Sequence, residues 1–133
     1  MTNRNIEILK IRSQNIGDLS EQNSADENFQ NQTLRPILKL QNELYTSVYI
    51  QYCIKNKSVF FKLNAAQKSD YIEHSLLKDF KFREFLLGLT IALFTNIEFD
   101  YYSVNSSNLN KRIIAMLIER LKSNIQVLIL HND

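Results

Sequence analysis

Asp70 and His74 are the two residues of this chain whose types and spacing come nearest to metal chemistry. Four positions apart, they would lie one helical turn apart on a single face, as two ligands of one ion must. A metal needs at least a third donor. Glu73 adjoins His74 and His131 stands near the C-terminus, but neither completes a recognisable ligand set. A solvated polar face is therefore the expected reading, with no metal and no other cofactor. The di-metal site of four-helix carboxylate proteins requires Glu-x-x-His on facing helices, and Tyr71 and Leu128 occupy the positions where the glutamates would stand.

Other routes to catalysis also lack their residues. Gly17 and Gly88 are isolated, so neither a phosphate-cradling loop nor a dinucleotide fingerprint is present. No serine sits in a nucleophile elbow. Cys53, the single cysteine, is flanked by Tyr52 and Ile54, which predicts a buried thiol and excludes an intrachain disulfide. That usage fits a reducing, cytoplasmic compartment. The N-terminal residues scatter Arg4, Glu7, Lys10 and Arg12 among their apolar neighbours, unlike the unbroken apolar core of a secretory signal. The apolar stretch 85–97 is shorter than the ~20 residues that span a bilayer, so a buried helix and no membrane partner are expected.

Two surfaces could bind rather than react. Tyr45, Tyr49 and Tyr52 would line one side of a helix and could stack on bases or on a partner, although Leu38 and Val48 continue the same face and favour core packing. Lys78, Lys81 and Arg83, with Lys111, Arg112, Arg120 and Lys122, would form a basic patch if their helices were neighbours. Asp79, Glu84 and Glu119 dilute it, and the net charge is only +2 with a pI near 8.7. A solvated amphipathic surface is expected; nucleic-acid contact is the alternative and is not favoured.

The elements that would position these residues are helices. Two glycines and one proline in 133 residues leave little turn material for a sandwich or barrel. The expected fold is all-α, a compact bundle of about five helices in residues 32–133, preceded by a polar and largely flexible segment 1–31. Within that segment, 6–11 alternates enough for a short strand or extended clamp, and Ser24 with Glu27 forms a capping-box pattern. Thr33 and Leu34 open a helix running to about residue 55, with Pro36 marking either its start or a kink. Asn64 with Gln67 opens another helix, carrying Tyr71, Ile72, Leu76 and Leu77 inward, after an apolar connection through Val59, Phe60, Phe61 and Leu63. Residues 79–93 predict a central helix apolar nearly all round. Thr95 and Glu98 cap a short helix that reaches Tyr102, and Ser107 caps the last, with Ile114, Leu117, Ile118, Leu121, Ile125 and Leu128 in one stripe.

The strings Leu34-Arg35-Pro36-Ile37-Leu38-Lys39, Lys81-Phe82-Arg83, Phe94-Thr95, 105–112 and Glu119-Arg120-Leu121 resemble a family of short helical bacterial proteins often labelled glyoxalase. The resemblance spans most of 28–128, and its strings contain no glyoxalase motif. It implies a candidate surface of Arg35, Lys81, Arg83, Asn105, Asn110, Lys111 and Arg112. For Asn105 and Ser107 a capping role is the structural alternative. Enzymes of the glyoxalase I type carry His and Glu metal ligands on the strands of paired βαβββ modules, and neither pattern occurs here. The expected function is a noncatalytic helical interaction or regulatory module with a protein partner or a second copy of itself, a homodimer. Nucleic-acid binding through basic helix surfaces is the first alternative and the glyoxalase activity implied by the resemblance the second.

Overall fold

A computed structural model describes residues 2–12, 23–57 and 59–124. Every regular element among them is helical, in agreement with the expected all-α class. In chain order they are α1 (Asn3–Ile11), α2 (Ala25–Phe29), a π turn (Gln30–Leu34), α3 (Arg35–Leu40), α4 (Asn42–Lys55), a 3-10 turn (Phe60–Lys62), α5 (Ala65–Lys78), α6 (Phe80–Ile91), α7 (Asn96–Val104) and α8 (Ser106–Ser123). With α2, the π turn and α3 taken as one run, these are seven helices among the described residues, roughly in line with the bundle of about five expected in 32–133. No described helix is long and apolar enough to cross a membrane.

The chain forms two compact units, each drawn from two stretches of sequence. One takes Met1–Leu40 and Leu87–Ile113; the other takes Gln41–Leu86 and Ile114–Asp133. The boundary expected near residue 31 falls inside the π turn.

In the first unit, residues 6–11 are helical, which corrects the expected strand. Thr2 starts α1 by accepting from the Asn5 amide at 3.2 Å, leaving Asn5, Ile8 and Arg12 buried on one face. Two of those three are polar, so an apolar periodicity could not reveal the face. What they bury against is the link between α6 and α7. A helix end leaves carbonyls without partners, and here Arg4 donates to the Ala92 and Phe94 carbonyls at 3.0 and 2.8 Å while Arg12 donates to that of Leu93 at 3.2 Å. The Asn5 side chain accepts from the first free amide of α7, Asn96 N, at 2.9 Å. This segment of the supposed tail is thus fastened by hydrogen bonds more than by apolar burial.

Arg12 also forms a two-pronged ion pair with Glu98, Nη1 to Oε1 at 2.6 Å and Nη2 to Oε2 at 3.0 Å. Its side chain has no exposed surface. Glu98 closes the expected capping box with Thr95 and also accepts from the Thr33 hydroxyl at 2.7 Å. Burial pushes the Glu98 carboxyl upward, but the hydrogen bonds from Arg12, Thr33 and the Thr95 amide outweigh it and hold the pKa below the usual glutamate value.

Ser24 caps α2 as its pattern predicts. At Pro36 the chain neither starts a helix nor ends one. The preceding turn widens, so that the Arg35 amide bonds back to the Gln30 carbonyl. Proline has no N–H for the carbonyl four residues earlier, and Arg12 Nη2 donates to that oxygen, Gln32 O, at 3.3 Å. The expected single helix from 34 to 55 is then interrupted at Gln41 (φ −97°, ψ 10°), which no glycine or proline announces.

In the second unit, Tyr45 and Tyr49 are buried and Tyr52 is half-buried, so the first two belong to the core. The expected apolar connection packs through Phe60, which lies edge-on to Tyr49 at 5.5 Å. Buried Lys68 donates to the Phe61 and Leu63 carbonyls, its ammonium 5.5 Å from the Phe60 ring centre. Asn64 and Gln67 form the predicted capping box of α5. Leu77, expected inside, is 47% exposed, and α6 is not apolar-buried all round: Phe80 and Phe85 are 72% and 53% exposed. In α8, Ile114, Leu117, Ile118 and Leu121 are buried as expected, while Ile125 and Leu128 lie outside the described residues. The helix begins two residues earlier than predicted, with Asn105, not Ser107, at the cap position, its carbonyl accepting from Leu109 N at 3.0 Å.

A Cβ on Gly88, inside α6, meets nothing within 4 Å, so Gly88→Ala raises the unfolding free energy in urea by about 0.5–1 kcal/mol through helix propensity alone. Arg12→Ala leaves the part-buried Glu98 carboxylate without its counter-ion but with its Thr33 and Thr95 bonds, and lowers it by about 3 kcal/mol, the lower end for a buried pair. Because the folded Glu98 pKa lies below the unfolded one, its contribution is present above the ordinary value of about 4.3 and fades as pH falls beneath it; Glu98→Gln flattens that acid limb in a pH series of denaturation curves.

Candidate interaction groove and basic cleft

The seven candidate surface residues do not share one unit. Arg35, Asn105, Asn110, Lys111 and Arg112 belong to the first, Lys81 and Arg83 to the second. In the first, four of the five have internal partners. Arg35 donates to Asn31 at 2.8 Å, the Asn105 side chain to the Tyr101 carbonyl at 2.9 Å, and Arg112 to Gln30 at 3.0 Å; Asn110 accepts from the Tyr102 hydroxyl at 2.6 Å. Lys111 is exposed. Nearby, the Tyr101 hydroxyl and the Asn108 amide both donate to Asp26. Burial and the Asp26 carboxylate push the Tyr101 hydroxyl up to about 12. These are ties that orient α7 and α8 against the α2 run.

Of the other basic residues, Lys122 pairs with Glu73 at 3.1 Å. Asp70 and His74 are both exposed on α5, and among the described residues no group of three or more His, Cys, Asp or Glu converges on one point. His131 lies outside the described residues. Cys53 is buried.

The concave surfaces are in the second unit. Between α4 and α6 runs an open groove of about 560 Å³ lined by Ser47, Val48, Gln51, Tyr52, Lys55, Asn56, Phe82 and Phe85. Its apolar part consists of Val48, Tyr52, Phe82 and Phe85, and its one charged residue is Lys55. Tyr52 is held by two contacts: its ring stacks on Phe82 with centroids 3.9 Å apart, and its hydroxyl donates to Asp79 Oδ2 at 2.7 Å. Asp79 in turn caps α6, accepting from Phe82 N at 3.1 Å through Oδ1. Hydrogen bonds from Tyr52 and the Phe82 amide hold the Asp79 carboxyl below its usual value, while burial and the Asp79 contact push the Tyr52 hydroxyl up.

Tyr52 also borders a second cavity, of about 660 Å³ and more polar, lined by Tyr71, His74, Ser75, Lys78, Asp79, Phe80 and Lys81 as well. It unites Lys78 with Lys81, two of the basic residues marked in the sequence; Arg83 does not line it. Deeper in α4, Tyr49 shares a hydrogen bond with Ser75 at 3.0 Å, and burial above all pushes its hydroxyl up. Sequence reading missed Phe85 as a surface group because its spacing matched a core stripe. The exposed aromatic at position 80, between Lys78 and Lys81, was the signal available for the cleft.

Tyr52→Phe keeps the ring on Phe82 but deletes the donor to Asp79. The Asp79 carboxyl then titrates at a higher pH than in the parent, measurable by carboxyl-detected NMR, and stability falls by about 1 kcal/mol.

No family model matches the chain, and neither a curated protein nor a solved structure matches it.

Proposed function

We propose that the protein is a noncatalytic helical interaction module whose docking surface is the groove between α4 and α6, and that it receives one amphipathic helix of a protein partner. The observation that carries this reading is the placement of Phe85, 53% exposed, beside Val48, Tyr52 and Phe82 along an open groove. Leaving such a ring in water forgoes about 25 cal/mol for each Å² that a partner could cover. A helix that inserts apolar side chains at successive turns fits a groove between two helices, and the lone Lys55 at the rim suits an acidic residue on its polar side. The orientation of Tyr52, fixed by Asp79 and Phe82, means the floor is arranged before a partner arrives, which reduces the ordering cost of binding.

Size exclusion with light scattering across a concentration series separates self-association from a heterologous partner, and affinity capture from the native cell then compares the parent with Phe85→Asp. The parent retains a partner that maps to an amphipathic helix and the variant loses it by about tenfold or more, the loss of one buried aromatic anchor. A strict monomer that retains nothing, or a partner held equally by both proteins, would overturn the reading. Turnover in a methylglyoxal–glutathione assay, abolished by a metal chelator, would replace it with the enzymatic function implied by the resemblance.

A further inference from the structure

From the second cavity, independently of the groove, we infer a binding site for a nucleotide: a phosphate held by Lys78 and Lys81 with its flat base against Phe80. The cavity of about 660 Å³ falls within the range of about 300–1,000 Å³ usual for small-molecule sites. Lys78 and Lys81 both line it and both are exposed; among the described residues neither ammonium is in a contact ion pair, and the Lys81 charge acts on Asp79 only through space. By contrast Arg4, Arg12, Arg112, Lys68 and Lys122 are each engaged with a named internal acceptor.

One carboxylate, Asp79, stands in the same cleft and opposes an anion. Both its oxygens are already directed to internal donors, Oδ1 to Phe82 N and Oδ2 to the Tyr52 hydroxyl. With His74 neutral, the two lysines leave the cleft positive by one charge, and the His74 imidazole adds a further hydrogen-bonding edge. The Ser75 hydroxyl is spent on the Tyr71 carbonyl at 2.8 Å, so the ligand-facing polar groups are the two lysines, the histidine and the half-buried Tyr71.

The aromatic component narrows the ligand class beyond a simple anion. Phe80 sits between the two lysines in sequence, borders the same cavity and is 72% exposed. A π face beside cationic side chains is the arrangement that binds a base next to its phosphate, without preference among bases. A bare phosphate would use the lysines and leave the ring idle. An anionic membrane would use both, and exposed Phe80 could reach it, but a flat headgroup surface would leave the concavity between the lysines unfilled. The shared chemistry admits a free mononucleotide or one residue of a single strand.

The test titrates the full chain with adenosine monophosphate, adenosine, inorganic phosphate, a single-stranded oligothymidylate and phosphatidylserine vesicles, following amide and side-chain NMR signals at low salt. Adenosine monophosphate is expected to shift His74, Lys78, Phe80 and Lys81 together and to bind more tightly than phosphate or adenosine. Lys78→Gln or Lys81→Gln weakens it by about fivefold to tenfold, the loss of one charge-assisted contact. Phe80→Ala removes about tenfold of the advantage over phosphate, the worth of one base stack, while the exposed control Lys39→Gln changes nothing and circular dichroism confirms that all variants remain helical. Tighter binding of the oligonucleotide with a steep salt dependence assigns the site to a strand; equal or weaker binding assigns it to the free nucleotide. The inference is overturned if adenosine monophosphate leaves the cleft signals unmoved, if it binds no better than phosphate, or if only the vesicles bind.

Discussion

The buried pair of Arg12 and Glu98 is the contact on which the first unit turns. Each end of it has a second duty. Arg12 covers the Leu93 carbonyl in the link between α6 and α7 and the Gln32 carbonyl that Pro36 leaves without a donor, and Glu98 closes the first turn of α7. A buried ion pair seldom adds stability over an apolar pair of the same shape, since desolvation consumes much of the attraction. Its value here lies in selecting one arrangement: only with α1 in this register do the guanidinium and the carboxylate meet two-pronged while Asn5 reaches Asn96.

Legibility in the sequence followed the range of the interaction. Ser24, Asn64 and Thr95 were readable as caps because a side chain bonding an amide three positions on is a local event. The stripe of α8 was readable because one apolar face repeats over many turns. Residues 3–11 were not, since their fastening comes from Arg4, Asn5 and Arg12 reaching positions some 80 to 90 residues away. Composition alone marked that stretch as polar, and polarity reads as disorder when the partners are invisible. Pro36 reads as a disturbance from its chemistry alone, but whether a helix absorbs it depends on whether something else satisfies the abandoned carbonyl. That something is Arg12.

The candidate surfaces divide in the same way. Lys78 and Lys81 stood out as basic residues, and their union in one cleft required the turn between α5 and α6, which Asp79 makes by leaving one helix and capping the next. Spacing alone places Phe85 and Leu77 in the interior, yet both are exposed. Periodicity locates a stripe along a helix but does not say which flank of a wide stripe is covered, so the edge residues of apolar faces were the least legible and became the most informative.

The double use of Glu98 has one more consequence. A single carboxylate is both the counter-charge for the N-terminal helix and the first-turn acceptor of another, so one proton taken up there acts on two remote stretches of chain together. The unit therefore contains a seam at which acid loosens α1 and the first turn of α7 as one cooperative event.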